Sequence, residues 1–224
     1  MGSALSVVGR AFRDWWDEMF LMVGVNLMWA LLAIPVITLF PATMGAYNLT
    51  YDKAHGRRVE FELFWQGFRQ YFGKAWALGA INLVVTVLLI VNILFYLNQP
   101  SWLFYLTIIW IYLIIIWIGV LTYVFPLAIE QEDKSIKLIY RNAVLLAVGR
   151  PLFTLVVALV QLLLLGVSIA LSPLLLLVYI PLSCLISNHA LAVSLEDVAK
   201  RRAQLERQQE GKKKEEEEET EQRE

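Results

Sequence analysis

The chain alternates between long charge-free apolar runs and short polar connections. Phe20–Leu39 carries no charged residue, and 75–97, 102–128, 151–165 and 167–192 repeat the pattern. A helix needs about 20 apolar residues to cross a ~30 Å hydrocarbon core, so these runs predict five hydrophobic spans. The first run is interrupted. Pro35 removes a backbone donor inside it, and Pro41 stands where a new helix can begin, so a short sixth helix over 41–53 is possible. Irregular backbone at membrane depth persists only where protein or a water-lined cavity shields it, which predicts that Pro35–Thr43 is buried in the bundle.

The connections have patterns of their own. Between Lys53 and Lys74, the residues Phe61, Phe64, Trp65, Phe68 and Phe72 recur at helical spacing, with Glu62, Gln66, Arg69 and Gln70 opposite. Over Glu130–Arg150, the apolar side Ile136, Ile139, Tyr140, Ala143, Val144 and Ala147 is edged by Lys134, Lys137 and Arg141. Both predict amphipathic interfacial helices. Ser3–Met19 is amphipathic as well, and reads either as a headgroup anchor at Trp15–Trp16 or as an extension of the first span. Ala75 with Gly79, or Gly73 with Ala77, offers a small-residue face for close helix contact.

Charge places these elements. Residues 1–195 hold 11 Lys and Arg against 9 Asp and Glu, while 196–224 hold 8 against 11. The basic residues of the body fall in the 53–74 and 130–150 connections, and the turns at 98–101 and 166–173 have none. The positive-inside bias therefore makes both basic connections and the C-terminus cytoplasmic. A single crossing by 20–39 puts the N-terminus outside. A helical return over 41–53 puts it inside, the side that Arg10 and Arg13 favour. The domain reading is a helical transmembrane domain over 1–195 and a charged, disordered cytoplasmic tail over 196–224.

The fold class is thus an all-α polytopic membrane protein, in keeping with 58% hydrophobic and 17% charged residues and a mean hydropathy of +0.60. One cysteine, Cys184, allows no intrachain disulfide. The residues before Phe20 include Arg10, Arg13, Asp14, Asp17 and Glu18, a layout unlike a secretory leader. Nucleic acid is excluded as a partner, because apolar spans flank the aromatic and basic stretches.

No catalytic constellation, phosphate loop or metal-ligand spacing is present, so no enzyme activity, cofactor or metal site is expected. His55 and His189 stand alone, and the acidic pairs lie on basic loops. The spans hold no charged residue of the kind that serves ion-coupled carriers. Their polar groups are neutral, among them Asn26, Thr38, Asn82, Thr86, Asn92, Thr107, Thr122, Gln161, Ser183 and Ser187. Interhelical hydrogen bonding that fixes packing accounts for such residues. The sharper expectation is an intramembrane polar cluster formed from Asn26, Thr38, Thr43, Tyr47, Asn48, Asn82, Asn92 and Gln161, lining a cavity for a neutral ligand.

Trp29-x5-Pro35-Val-Ile-Thr38-x-x-Pro41-Ala-Thr43, the Gly56-Arg57 turn, the Phe61/Phe64/Phe68 stripe and Arg141-Asn142-Ala143 resemble the YesL family of bacterial multi-pass membrane proteins. The resemblance covers roughly residues 10–195. It implies a plasma-membrane protein of a family without assigned function, and an accessory role beside carbohydrate ABC-type uptake. The expected function is a non-enzymatic subunit that contacts the lipid bilayer and a membrane partner such as a sugar ABC permease. The alternative is a transporter or channel for a small neutral solute, which with so few spans would have to form a homo-oligomer.

Overall fold

The structure is a computed structural model that describes residues 4–99, 102–133 and 135–221. Helix α1 (Ala4–Asp17) leads into α2 (Met19–Ala33), followed by α3 (Leu39–Ala54), α4 (Phe61–Gln70) and α5 (Phe72–Leu97). A 3-10 turn over Trp102–Leu106 opens α6 (Thr107–Glu130), and α7 (Ile136–Gly149) and α8 (Pro151–Ala170) follow. A short α9 (Ser172–Leu174) and a π turn (Leu175–Tyr179) lead into α10 (Ile180–Glu221). No strand occurs among the described residues.

Four helices are long and apolar enough to cross a membrane: Phe72–Leu97, Trp102–Glu130, Pro151–Ala170 and Ser172–Glu210. The pair α1 and α2, bent by 93°, is a fifth if counted as one span. The protein is therefore an all-helical membrane protein.

The run 20–39 is not one helix. It breaks after Ala33, turns through Val36 in the left-handed region (φ 58°), and re-enters a helix at Leu39. Pro41 falls in the first turn of α3, where its missing donor costs nothing. Two side-chain contacts make α2 and α3 an antiparallel hairpin. Trp29 Nε1 donates to Thr43 Oγ1 at 2.9 Å near the tip, and Lys53 Nζ lies 3.3 Å from Glu18 Oε1 at the base. Of 15 and 16 residues, the two helices are about 22 and 24 Å long, short of the ~30 Å core.

Three expectations need correction. Pro35–Thr43 is buried only at its end: Pro41 and Ala42 are inside, while Pro35, Val36 and Ile37 are exposed. The tip tolerates exposure because its carbonyls find internal donors, Thr38 Oγ1 for Leu32 and Trp76 Nε1 for Ile37 at 2.7 Å. The 151–165 run continues as helix through Gly166 to Ala170, so the break at Leu171 falls late in the expected 166–173 turn. Gly166 can stay helical, whereas Pro173 lacks the donor a continuing helix needs. The stretch assigned to a disordered tail is helical through Glu221, supported by an i,i+4 contact from Lys200 to Glu196 at 2.6 Å.

Burial separates an inner from an outer set of helices. Only 17%, 28% and 22% of the apolar windows of α5, α6 and α8 are buried, against 61% for the Ser172–Glu210 helix. The core therefore gathers around α10 and α3, where Met44, Leu49, Leu185, Ile186 and Leu191 are fully enclosed, with the second half of α6 (Val120, Tyr123, Val124) alongside. Close backbone approach depends on glycine at two crossings. A Cβ on Gly45 would stand 2.7 Å from the Phe64 carbonyl oxygen of α4, and one on Gly79 would enter the Phe40 ring of α3. Of the two small-residue faces, Ala75/Gly79 makes the contact, while Gly73 meets nothing. Helix α4 buries Phe64 and Gly67, and α7 buries Ile139, Ala143 and Ala147.

Candidate functional site

The polar side chains of the inner helices pair across element boundaries. In α8, Gln161 Nε2 donates to Ser187 Oγ at 2.7 Å and to the Ser183 carbonyl at 3.3 Å, while its Oε1 accepts from Thr122 Oγ1 of α6 at 3.2 Å. Tyr47 of α3 donates to Ser187 Oγ at 3.3 Å. Asn188, the next residue of α10, donates to the Tyr47 carbonyl at 3.2 Å and to Thr50 Oγ1 at 3.0 Å. Tyr123, Thr154 and Ser194 form a second buried group, with the phenol 3.0 and 3.3 Å from the two hydroxyls. Ser183 and Ser187 are one helical turn apart, so both meet Gln161 from one face of α10.

Tyr47, Thr122, Gln161 and Ser187 border a cavity of about 340 Å³, whose walls also include Thr43 and Asn82 together with apolar residues of α6, α8 and α10. A neighbouring hollow of about 310 Å³ shares Thr43, Asn82 and Phe125 with it. No charged side chain lines either one. Asn82 stands at their junction. Its Oδ1 accepts from Tyr140 at 2.6 Å, and its buried Nδ2 has no partner. Tyr140 has a single hydroxyl proton and also lies 3.3 Å from the Leu78 carbonyl. Reversing the Asn82 amide would satisfy both contacts and leave Oδ1 unpaired instead; either way one amide atom stays unmatched. Cavities of this size take small molecules, and an uncharged lining fits an uncharged one.

The eight residues expected to cluster are divided by the structure. Thr43, Tyr47, Asn82 and Gln161 share the cavity wall. Asn26 lies apart and serves the π turn, donating to the Leu175 carbonyl at 2.8 Å and accepting from the Ile180 N–H at 2.9 Å. Thr38 closes the hairpin turn through the Leu32 carbonyl, and Asn48 ties α3 to α4 through the Leu63 carbonyl at 2.8 Å. Asn92 turns back on its own helix to the Leu88 carbonyl at 2.7 Å. Thr122, Ser183 and Ser187 join the site as well. The sequence marks them as polar within apolar runs, but their convergence depends on helix packing.

Charged groups pair at the end of the bundle that carries Lys53, Glu130 and Asp197. Arg150 and Asp197 meet at 3.0 Å, Arg57 and Asp52 at 2.7 Å, and His189 Nε2 lies 2.7 Å from Asp14 of α1. Tyr51 donates to Glu130 at 2.6 Å, and burial together with that carboxylate raises its phenol well above the ordinary value. His55 turns onto the Tyr51 carbonyl at 2.8 Å.

No curated protein and no solved structure gives a significant match to this chain. Over residues 22–93, from α2 to near the end of α5, the chain is similar to the family described as "Protein of unknown function, DUF624".

Proposed function

We propose that this is a non-enzymatic membrane subunit that works by docking to another membrane protein, in a bacterial plasma membrane and in association with carbohydrate ABC-type uptake. The observation that carries the docking role is the shape of α10. It leaves the core after Ser194 and continues as a helix to Glu221, and its residues 199–210 are exposed on all sides. Arg201, Arg202, Glu206, Arg207 and Glu210 on this projection offer charge to a partner without burying apolar surface. The link to carbohydrate uptake rests on the resemblance of the Trp29–Thr43 stretch to YesL proteins; that stretch lies within the matched residues 22–93. In this reading the chain makes four spans and a hairpin whose ends share a side, so that both termini fall on one side; the charge bias of the basic connections supports the cytoplasm as that side.

Purification of the full chain in mild detergent, followed by identification of what accompanies it, tests the reading. A sugar permease or its ATPase should co-purify, and removal of residues 199–224 should release it. Recovery of the chain alone refutes the docking role. The cavity around Gln161 favours a second reading, a homo-oligomeric transporter or channel for a small neutral solute. In that case the purified chain alone would carry solute flux into liposomes, and Gln161→Leu would reduce it.

A further inference from the structure

We propose that α1 and α4 are lipid-surface helices lying in the headgroup layer of one leaflet, and that the α2–α3 hairpin dips into the hydrocarbon from that leaflet and returns to it. Each surface helix is divided into three sectors rather than two. On α1, Val7, Ala11 and Trp15 are buried in the bundle, Leu5, Phe12 and Trp16 are apolar and exposed, and Arg10, Arg13 and Asp17 form an exposed charged strip. At ~100° per residue the sector centres lie about 120° apart. On α4, Phe64 and Gly67 are buried, Phe61 and Trp65 are apolar and exposed, and Glu62, Gln66 and Arg69 are polar and exposed. The sectors follow in the same rotational order on both helices.

A helix between protein and water shows two sectors, and so does one between protein and lipid. Three sectors require protein, hydrocarbon and water around one axis, a combination found where a helix lies in the plane of a bilayer surface. The 93° bend between α1 and α2 fits this placement, turning the chain from the plane towards the normal. Trp16 and Trp65 on the apolar sectors are suited to the headgroup boundary.

Both helices also meet the bundle at the same height. Asp14 of α1 contacts His189, and the preceding Asn188 bonds Tyr47 and Thr50 of α3. Asn48, between those two, holds Leu63 of α4. One plane through Asn188–His189 thus passes both helices. The hairpin base, closed by Glu18 and Lys53, lies at the same end of the bundle. Its tip is apolar and open, with Ile34 74%, Val36 63% and Ile37 60% exposed. Arms of about 22 and 24 Å leave such a tip within a ~30 Å core, where apolar exposure is favourable.

The test uses the full chain with Cys184→Ser, single cysteines carrying nitroxide labels, and vesicles of phosphatidylethanolamine and phosphatidylglycerol. Labels at Phe12→Cys, Trp16→Cys and Trp65→Cys should collide with oxygen and lose access to a soluble nickel chelate. Those at Arg13→Cys, Asp17→Cys and Gln66→Cys should show the reverse. Leu5→Cys repeats the apolar reading if a bulky-residue variant fails to fold. Unlabelled Val36→Cys should resist an impermeant maleimide from both sides, whereas Gln204→Cys reacts from one. Nickel access at 12, 16 and 65 overturns the lipid assignment. So does immobilisation with access to neither reagent, which would mean a protein partner or second copy on that face. Labelling of Val36→Cys from the side opposite Gln204→Cys overturns the return to the same leaflet.

Discussion

The crossing of α3 and α4 should fail on the addition of a single methyl group. In Gly45→Ala the new Cβ would stand 2.7 Å from the Phe64 carbonyl oxygen and 3.1 Å from its ring. The oxygen belongs to the α4 backbone, so relief requires the helices to separate. Separation would also strain the Asn48–Leu63 bond of 2.8 Å. Overpacking costs about 1–3 kcal/mol and a weakened hydrogen bond about 1 kcal/mol, while alanine in place of glycine in a helix returns up to ~1 kcal/mol. The net loss is about 2 kcal/mol, or a fall in Tm of about 4–8 °C for a chain of this size. Gly166→Ala is the control. Nothing lies within 4 Å of its new Cβ, so the propensity gain stands alone and Tm should rise by about 2–4 °C. Cys184 is buried and is the chain's one thiol, so a fluorogenic maleimide in detergent reports unfolding directly. Gly67→Ala presses on the Asn48 side chain in the same contact, so its cost and that of Gly45→Ala should combine to less than their sum. If Gly45→Ala shifts Tm upward as Gly166→Ala does, the close crossing is not part of the folded protein.

Three further changes have defined outcomes. Asn26→Leu removes the side chain that donates to the Leu175 carbonyl and accepts from the Ile180 N–H; the loss of two hydrogen bonds costs about 1–3 kcal/mol, and hydrogen exchange should rise at residues 175–180. Asp197→Ala leaves the largely buried Arg150 without its carboxylate, so it should cost more than the pair change Arg150→Met with Asp197→Ala, with a thermal-shift coupling of about 1–3 kcal/mol. Tyr140 has its phenol pushed up to about 12 by burial. The folded state therefore holds that proton more tightly, and the resulting stability is complete below the ordinary value of 10.0 and disappears as pH rises towards 12. Tm measured from pH 8 to 11.5 should fall less steeply in Tyr140→Phe than in the parent chain.

The membrane class was legible because charge is absent over whole runs, a signal that needs no tertiary information. The break near Pro35 was legible for the same local reason. Whether the chain crosses once or turns back was not. That outcome depends on Trp29 meeting Thr43 and Glu18 meeting Lys53, contacts 14 and 35 residues apart in sequence. The boundary after α8 misleads because glycine is penalised in water, where a broken helix can bond to solvent. In hydrocarbon a broken turn has no such partner, so Gly166 stays helical and proline decides. The charged tail misleads in another way. Its composition cannot form a core, yet Lys, Arg, Glu and Gln are good helix formers. Helix α10 has already met the nucleation cost within the bundle, so each added residue needs only propagation.

The candidate site was legible as a set of polar residues and not as an arrangement. Tyr47 and Asn48 are sequence neighbours, yet one faces Ser187 and the other Leu63. Asn82 and Asn92 share a helix, yet one meets Tyr140 and the other its own backbone. In each case the partner comes from a different helix or from none, and residue spacing along one helix carries no information about that choice. The pairings have a common result: Tyr47 of α3, Thr122 of α6, Gln161 of α8 and Ser187 of α10 are matched to one another in the interior, leaving apolar side chains on the outer faces of α5, α6 and α8. Asn82 is the exception at the cavity wall, since the single Tyr140 proton cannot complete its amide. A buried amide atom left unmatched costs about 1–3 kcal/mol, so it is the place where an uncharged guest with a complementary hydroxyl or carbonyl would gain most on entering.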